Sequence, residues 1–571
     1  MNASTVSDLE APSAAPPPSA LAASPASLAA IASMMALAAC GGGGGDSPAP
    51  TPAPAPPPAA PSAAESSRFL AQASMGSTRT HIARVQALGY AGWLDEQFAL
   101  PASGTRWDLL VAAGLTDISN KNSEAGFDAV AWNKLMSSPD TLRQRVTLAL
   151  SEIAVVAIDG LVGGGWRQFT AAAYLDLLEA NAFGSHRALM QQISLSVPMG
   201  EYLTFRASAK ANTTTGALPD ENYARELMQL FTIGLVQLNV DGTPTLTGGH
   251  TTDTYSLDDI TGLARVFTGW DFDLAGLTGA AATATPDFVR RPMTQVTSRY
   301  ETGAKAFLGT TIPAGTSAVD SLTLALDAIC GHANVAPFFC RQLIQRLVTS
   351  NPSPAYVARI AAVFTNDGSG ARGNLRAVIR ALLLDDEARN AGNATSTSYG
   401  KLREPMLRFV CWGRAFGAAS VSGAWTGNTG DAARGLAQSP LRSPSVFNFF
   451  RPGYVPPNSA LGNAALVAPE FQIANESSVV GCINYLQRAV AGSIGDITPD
   501  YSTLTPLADD ASALLVELNL VLAANQISAA TLAALVTAVQ TMPSGTDATR
   551  RNRINAALVL VLAAPEYIVQ K

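Results

Sequence analysis

The stretch SPDTLRQRVTLALSEIAVV, residues 138–156, indicates the fold class of this chain. Ser138 and Pro139 suit a helix start, because proline is tolerated in the first turn, where its missing N–H costs no hydrogen bond. Apolar side chains then recur at three- and four-residue spacing, at Leu142, Val146, Ala149, Leu150 and Ile153. This periodicity predicts an amphipathic helix over about 142–156 that turns one face to a core.

The same periodicity recurs along the chain, and no run of alternating strands interrupts it. Ser256, followed by Asp259, resembles a capping box in which Asp replaces the usual Glu. The sequence therefore predicts an all-α protein, a large multi-helix domain with long irregular loops near 208–218, 240–255, 270–318 and 419–466. Further helices are predicted over about 168–181, 186–197, 220–233, 320–330, 336–349, 354–365, 373–388, 402–417, 468–490, 510–523, 529–541 and 549–563.

The N-terminal region ends in Leu37-Ala38-Ala39-Cys40, after an apolar stretch and before five glycines. Small residues before a single cysteine are typical of bacterial lipoprotein processing, which makes Cys40 the predicted lipidation site. No Lys or Arg precedes Arg68, whereas a secretory signal usually begins with positive charge. The alternative is an Ala/Pro-rich tail that contains Cys40 by chance.

These features divide the chain into three predicted parts. Residues 1–39 form a signal peptide with an atypical start, residues 40–67 a lipid attachment site and Gly/Pro/Ala tether, and residues 68–571 the helical domain. Two or more acyl chains attach a protein stably to a membrane. Gly41 after the cysteine resembles the proteobacterial sorting pattern for the outer membrane. The sequence thus predicts an exported outer-membrane lipoprotein, periplasmic or surface-facing.

Composition and motifs exclude several function classes. The 37 Lys and Arg residues against 44 Asp and Glu give a net charge of −7, which offers no basic surface for nucleic acid. The sequence contains no G-x-S-x-G nucleophile elbow, no phosphate-binding loop and no dinucleotide fingerprint. No cofactor is therefore predicted.

The remaining cysteines are Cys330, Cys340, Cys411 and Cys482. An even number in an exported chain permits disulfides, and the near pair Cys330 and Cys340 is the predicted bridge. The alternative is that all four are buried free thiols.

The segment 219–234 contains the candidate catalytic residues. On a helix, Asn222, Arg225, Glu226 and Gln229 would form one polar stripe. One interpretation is structural: Glu221 pairs with Arg225 one turn later, and the stripe satisfies loop backbone. The other is catalytic: Glu221 or Glu226 acts as a general base or ligand, and Arg225 holds an anionic group in bidentate fashion.

Two further features are weaker candidates. His250 with Asp253 could hold a divalent cation, although a single histidine near carboxylates is a weak pattern. The segment 447–454, FNFFRPGY, could form an exposed aromatic platform for a glycan or a protein, or it could plug the core.

Several stretches resemble one bacterial family in collinear order. They are RFLAQA (68–73), LRQRV (142–146), ENYARELMQLFTIGL (221–235), ARVFTGW (264–270), KLREP (401–405) and SPSVFNFFRPGY (443–454). The chain is similar in these stretches to the bacterial domain-of-unknown-function 1800 family. That resemblance implies an exported bacterial protein, often encoded beside proteins that resemble secreted sulfatases or alkaline phosphatases.

Two functions from different classes follow. The first is a noncatalytic helical scaffold or partner of a secreted sulfatase- or phosphatase-like protein, held at the membrane by its lipid anchor. The second is a surface hydrolase or lyase that acts on an envelope polymer with carboxylate chemistry around Glu221–Glu226. A cleft that joins this helix to the 240–255 and 447–454 loops would favour the enzyme.

Overall fold

The computed structural model describes residues 60–277, 279–427 and 429–571, and these are predominantly helical. This confirms the predicted all-α class. The helices are α1 (Ala63–Ala73), α2 (Arg79–Ala99), α3 (Arg106–Ala112), α4 (Phe127–Ser137), α5 (Thr141–Ile153), α6 (Arg167–Ala180), α7 (His186–Leu195), α8 (Val197–Tyr202), α9 (Asn222–Glu226), α10 (Leu257–Ala264), α11 (Ala318–Gly331), α12 (Val335–Leu347), α13 (Pro354–Thr365), α14 (Leu375–Leu384), α15 (Asp386–Arg389), α16 (Pro405–Ala415), α17 (Ala460–Asn463), α18 (Glu476–Val490), α19 (Ala511–Ala523), α20 (Ala529–Gln540), α21 (Asp547–Ala563) and α22 (Pro565–Ile568).

Short strands pair only as two-stranded antiparallel ribbons in the described part of the chain. Most of them lie in the long loops, where they give irregular backbone some of its hydrogen bonds. The ribbons are β1 (Leu246–Thr247) with β2 (His250–Thr251), β3 (Trp270–Asp271) with β4 (Thr294–Gln295), β5 (Lys305–Phe307) with β6 (Thr310–Ile312), β7 (Lys401–Leu402) with β10 (Val569–Gln570), and β8 (Ala419–Ser420) with β9 (Ile497–Thr498).

The helix starts follow from local capping. Ser256 accepts a hydrogen bond from the Asp259 backbone N–H, and the Asp259 carboxylate accepts one from the Ser256 N–H, so the predicted capping box is confirmed. A second box, between Ser62 and Glu65, starts α1 at Ala63. The folded part therefore begins on the N-terminal side of the predicted domain boundary at residue 68. Cys40 and most of the predicted tether lie outside the described residues.

The buried apolar side chains form two clusters. The larger one is built from α1–α14 and the loops between them. The smaller one is built mainly from α16, α18, α19 and α21, and it also receives side chains from α4. Both α4 and α5 belong to the two clusters; on α5, Leu142 and Val146 pack in the larger cluster while Leu148 packs in the smaller one. This central position of α5 matters for the charge cluster described below.

No single helix among the described residues is long and apolar enough to cross a membrane. Helices α11 and α12 pass such a test only when they are taken together, and their axes bend by 73°.

Candidate functional site

The predicted helix 220–233 is present, but it changes type in the middle. α9 ends at Glu226, and a π-helix covers Leu227–Thr232. The Thr232 hydroxyl donates to the Leu227 carbonyl at 2.5 Å, and Gly234, with φ 74°, ends the segment. π-helical turns are rare in proteins as a whole, and those that occur often lie at functional sites. The segment with the candidate residues is therefore also the unusual piece of backbone.

Glu221 and Arg225 form the predicted pair on the surface of this helix. Arg225 Nη2 donates to Glu221 Oε2 at 3.3 Å, and the other Glu221 oxygen accepts from the Thr261 hydroxyl at 2.8 Å. Both side chains are partly exposed. Glu221 thus ties α9 to α10, while Arg225 keeps donors available to solvent.

Glu226 is placed differently from Glu221. It is 6% exposed, and its Oε2 atom is buried without a hydrogen-bond partner. Burial raises the pKa of Glu226, and the nearby Arg225 guanidinium opposes that rise only in part. A carboxyl group in such a site holds its proton to higher pH than a solvated one, which is the property required of a general acid.

The charge of Glu226 influences two tyrosines from distant segments. Burial raises the pKa of Tyr202 to about 12, with the Glu226 charge adding to the rise and a hydrogen bond with Ser443 opposing it. Burial and the Glu226 charge also raise the pKa of Tyr255 to about 12. The Tyr255 hydroxyl donates to Gln229 Oε1 at 3.5 Å. Both phenols keep their protons at neutral pH, and their oxygens can still accept hydrogen bonds from a bound molecule.

These contacts bring together three segments that the sequence places far apart. Tyr202 ends α8, Tyr255 follows the β1–β2 hairpin, and Ser443 lies in the loop after α16. Glu226 therefore interacts electrostatically with the end of the predicted 240–255 loop, and with α8, whose Tyr202 is bonded to Ser443 ahead of residues 447–454.

His250 and Asp253 do not form a metal site. Both are exposed at the β1–β2 hairpin, and Asp253 pairs through its backbone with Val236. Residues three apart in extended backbone point to opposite faces, so the two side chains cannot converge. Among the described residues, no group of three or more His, Cys, Asp or Glu side chains could hold a metal ion. The prediction of a cation at His250 and Asp253 is corrected accordingly.

The predicted disulfide is also absent. Cys330 and Cys340 are buried free thiols, as are Cys411 and Cys482. Cys330 lies near the end of α11 and Cys340 within α12, and each packs in the larger apolar cluster. Burial raises the pKa of Cys330 to about 12 and raises that of Cys340 further.

The aromatic segment 447–454 is partly a core plug. Phe450 is buried and lies 4.7 Å from the guanidinium of Arg346, whereas Arg451 is exposed and covers the ring of Phe447 at 4.2 Å. The interior position of Phe450 agrees with the core interpretation, and the covered Phe447 ring leaves little aromatic surface free.

Six charged side chains that the sequence did not single out as a site form a buried charge cluster. They come from α5, α12, β7, the turn before α16 and the segment 469–472, and each is at most 5% exposed. Three of the family-like stretches, 142–146, 401–405 and 443–454, meet at or beside this cluster. The six residues are Arg145, Glu152, Arg346, Lys401, Glu404 and Glu470.

Opposite charges alternate within the cluster. Arg346 Nε lies 3.3 Å from Glu152 Oε2, and Lys401 Nζ lies 3.1 Å from Glu470 Oε1 and 3.5 Å from Glu404 Oε1. Burial and the charge of Glu404 raise the pKa of Glu152 well above its usual range. Burial opposes ionisation of Glu404 too, but the Lys401 ammonium and a bond from Glu152 lower its pKa to about 2.

The cluster has almost no room for a substrate. Glu152 lines a cavity of about 30 Å³, together with residues of the segment 439–449. A space of this size admits a water molecule or two and no larger ligand. We therefore assign the charge cluster to the packing of α5 against the C-terminal segments, and we retain Glu226 as the centre of the candidate site.

The fold and these sites define an all-α protein with an internal charge cluster and a buried carboxyl group whose pKa is raised. The chain belongs to the DUF1800 family, described as a protein of unknown function, whose model matches residues 68–569. No curated protein matches the chain, and no solved structure matches it either.

Proposed function

We propose that this protein is an exported, lipid-anchored enzyme of the bacterial cell envelope, a hydrolase or lyase in which Glu226 acts as a general acid and donates a proton to the leaving group of an envelope polymer. The observation that carries the proposal is the carboxyl of Glu226, which is buried with an unpaired oxygen and a raised pKa. Pairs of groups whose pKa values are shifted by burial in this way are common at active sites.

The roles of the neighbouring residues follow from their contacts. Tyr202 and Tyr255 would orient the polymer through hydrogen bonds, and Gln229 would hold Tyr255 in place. Arg225, with its guanidinium partly exposed, would bind an anionic group of the substrate. Glu221 is given a structural role, because both of its oxygens are engaged.

The substitution Glu226→Gln tests the enzymatic proposal. We expect the full chain with Glu226→Gln to fold normally and to lose release of soluble fragments from isolated envelope polymer. The matched control is Glu221→Gln in the same helix, which should retain release. Because Glu226 must be protonated to act as an acid, release should also fall as the pH rises above the raised pKa of this group. Equal activity of the two variants would refute the role of Glu226.

Export and anchoring rest on the sequence around Cys40. Expression of the full chain in a Gram-negative host with a radiolabelled fatty acid should label the wild type and not Cys40→Ser. An unlabelled wild-type chain would refute the anchor and leave the role of Glu226 untouched.

A second candidate function is the scaffold or partner role, and one observation favours it. The β1–β2 hairpin and its flanks expose four large apolar side chains, each between 55% and 63% exposed: Leu235, Val240, Leu246 and Leu257. Exposed apolar side chains that cluster are typical of protein interaction sites. The partner proposed is a secreted sulfatase- or phosphatase-like protein.

Co-purification from native membranes tests this second function. Leu246→Glu should release such a partner, whereas Val319→Glu, at an equally exposed valine on α11, should retain it. Absence of that partner from the wild-type preparation would refute the scaffold role.

A further inference from the structure

A pocket of about 330 Å³ lies between the end of α18, the turn that leads from α18 to β9, and the loop that follows β8. Its polar side chains are those of two arginines, Arg434 and Arg488, together with Tyr485 and Ser493. The described residues that line the pocket include no acidic side chain. The pocket therefore presents hydrogen-bond donors and positive charge.

The two arginines carry charge that no ion pair balances among the described residues. Arg434 and Arg488 are both exposed. Arg488 Nη2 donates to the Arg434 carbonyl at 2.6 Å, which fixes the Arg488 side chain and leaves its other N–H groups available. The Arg488 guanidinium also lies 5.8 Å from the ring centre of Tyr485. Both guanidinium groups can thus donate to a bound molecule.

Two aspartates lie close in sequence to the pocket, and other groups engage their carboxylates. Asp431 accepts hydrogen bonds from two backbone N–H groups in the turn that follows it. Asp496 accepts from three hydroxyl groups, those of Ser420, Ser422 and Thr426. These bonds direct both carboxylates to neighbouring loop atoms, so the arginines keep their donors for a ligand.

Tyr485 adds a buried hydroxyl group without a partner. The residue is 1% exposed, and its hydroxyl has no hydrogen-bond partner in the described structure. A Cβ atom on Gly427 would lie 2.6 Å from this oxygen, so the hydroxyl points to a part of the pocket wall that has no side chain. A buried donor that stays unpaired is costly, and a ligand oxygen in the pocket would supply the missing acceptor.

We propose that this pocket binds a phosphate or sulfate group. A tetrahedral anion with two negative charges matches two unpaired guanidinium groups, and arginine favours bidentate contact with such oxygens. The hydroxyls of Tyr485 and Ser493 would donate to the remaining oxygens. A pocket of this volume holds the anion with a small substituent. It does not include Glu226, so the inference stands independently of the proposed acid–base function.

The test is calorimetric titration of the full chain with inorganic phosphate and with sulfate at pH 8. We expect saturable binding of one ion per chain for at least one of them. Arg488→Ala should weaken that binding at least tenfold, as expected for loss of a hydrogen bond between charged groups. The matched control is Arg376→Ala, which should leave binding unchanged. Arg376 is an exposed arginine of α14 whose guanidinium also lies near an aromatic ring, 5.0 Å from that of Phe98.

Tyr485→Phe distinguishes a ligand contact from a structural role. Because the hydroxyl has no partner inside the protein, its removal should leave the free energy of unfolding unchanged or increased. Binding of the anion should nevertheless weaken by about tenfold. Gly427→Ala, which places a methyl group over the hydroxyl, should weaken binding too. Gly430→Ala, in the same loop but facing open space, should not.

Other outcomes overturn the proposal. Failure of both ions to bind refutes the site, as does binding that Arg488→Ala or Tyr485→Phe leaves unchanged. Tighter binding of acetate would identify a carboxylate site and refute the tetrahedral anion. Displacement of bound phosphate by glycerol 3-phosphate would support a soluble ester as the ligand, and displacement by vesicles that contain phosphatidate would support a lipid headgroup. None of these results depends on turnover or lipidation, so they are distinct from the tests of Glu226 and Cys40.

Discussion

Glu152 and Glu404 belong to one buried charge cluster, and their environments shift the pKa values of the two carboxyl groups in opposite directions. Burial and the neighbouring negative charge hold the proton on Glu152, while Lys401 keeps Glu404 ionised. Two carboxyl groups in contact cannot both ionise readily in a medium of low polarity. The packing of α5 beside the turn before α16 therefore favours a protonated Glu152 and an ionised Glu404.

Replacement of Glu152 by a residue that does not titrate should reduce the loss of stability that the wild type shows as the pH rises. Below the ordinary pKa of 4.5, Glu152 is protonated in both the folded and the unfolded chain. Above it only the unfolded chain ionises, so wild-type stability declines with rising pH by at most about 1.4 kcal/mol per pH unit. Glu152→Gln keeps the shape without the titration. Urea denaturation at pH 5, 7 and 9 should show that the free energy of unfolding of the variant increases with pH relative to that of the wild type.

The control for this measurement is Glu476→Gln, at the exposed start of α18. Its stability should follow the wild type across the same pH range. A constant difference between Glu152→Gln and the wild type would contradict the shifted proton.

Glu404→Gln should destabilise the protein at neutral pH. The change removes a buried negative charge from Lys401 and leaves the ammonium to Glu470 alone. Loss of one partner from a buried pair costs about 3–5 kcal/mol. Because the pKa of Glu404 is lowered to about 2, its contribution is complete above pH 4.5 and declines as the pH falls toward 2. Denaturation should show a smaller difference in the free energy of unfolding between the wild type and Glu404→Gln at pH 3 than at pH 7. A larger difference at pH 3 would contradict the lowered pKa.

The surface pair of Glu221 and Arg225 at the candidate site should contribute little to stability, unlike the buried pair of Lys401 and Glu404. Arg225 is partly exposed and meets Glu221 one turn earlier on α9. Pairs of this kind stabilise a helix by about 0.2–0.5 kcal/mol. Arg225→Ala should therefore change the free energy of unfolding by about 0.5 kcal/mol or less, and most of that change should vanish in 1 M salt. A loss comparable with that of Glu404→Gln would show that the helix depends on this pair.

Local sequence pattern predicted the helices and failed where distant segments meet. The range 354–365 coincides with α13, and the Ser256–Asp259 box was recognised from its spacing. Spacing also placed Glu226 and Gln229 on one face. It could not show that Tyr255 bonds to Gln229 or that the Glu226 charge influences Tyr202, because both tyrosines belong to other segments. Burial, which distinguishes Glu226 from Glu221, is a tertiary property.

The charge cluster was hidden from sequence for the same reason. In the sequence, Arg145 and Glu152 look like ordinary polar residues of an amphipathic helix. Only the folded structure shows that α12 packs against them. The available signal was that the family-like stretches 142–146 and 401–405 contain charged residues, among them Arg145, Lys401 and Glu404. The disulfide prediction failed because cysteine count and spacing carry no information about where two helices direct their thiols.

Gly262 is expected to tolerate no side chain. A Cβ atom there would lie 1.8 Å from the carbonyl oxygen of Ala306 in β5, and this contact is with backbone. Gly262→Ala must therefore displace β5 from α10, at a cost of about 3 kcal/mol. The matched change is Gly331→Ala at the end of α11, where the space is open, and it should be neutral or stabilising by about 0.4–1 kcal/mol. Thermal or urea denaturation of both variants checks the contrast, and equal stability would contradict the close approach.

The cysteines provide the last prediction, because export would expose them to oxidation while the fold keeps them apart. Cys330, Cys340, Cys411 and Cys482 are all buried, and burial raises the pKa of each thiol, so little thiolate is available for disulfide exchange. The chain carrying Cys40→Ala, purified from the periplasm without reductant, should not react with Ellman's reagent at pH 8 while it is folded. After denaturation in guanidinium it should release four thiol equivalents, and its intact mass should match the fully reduced chain. Two thiols and a mass lower by two hydrogens would instead establish a disulfide, and peptide mapping would then show whether it joins Cys330 to Cys340.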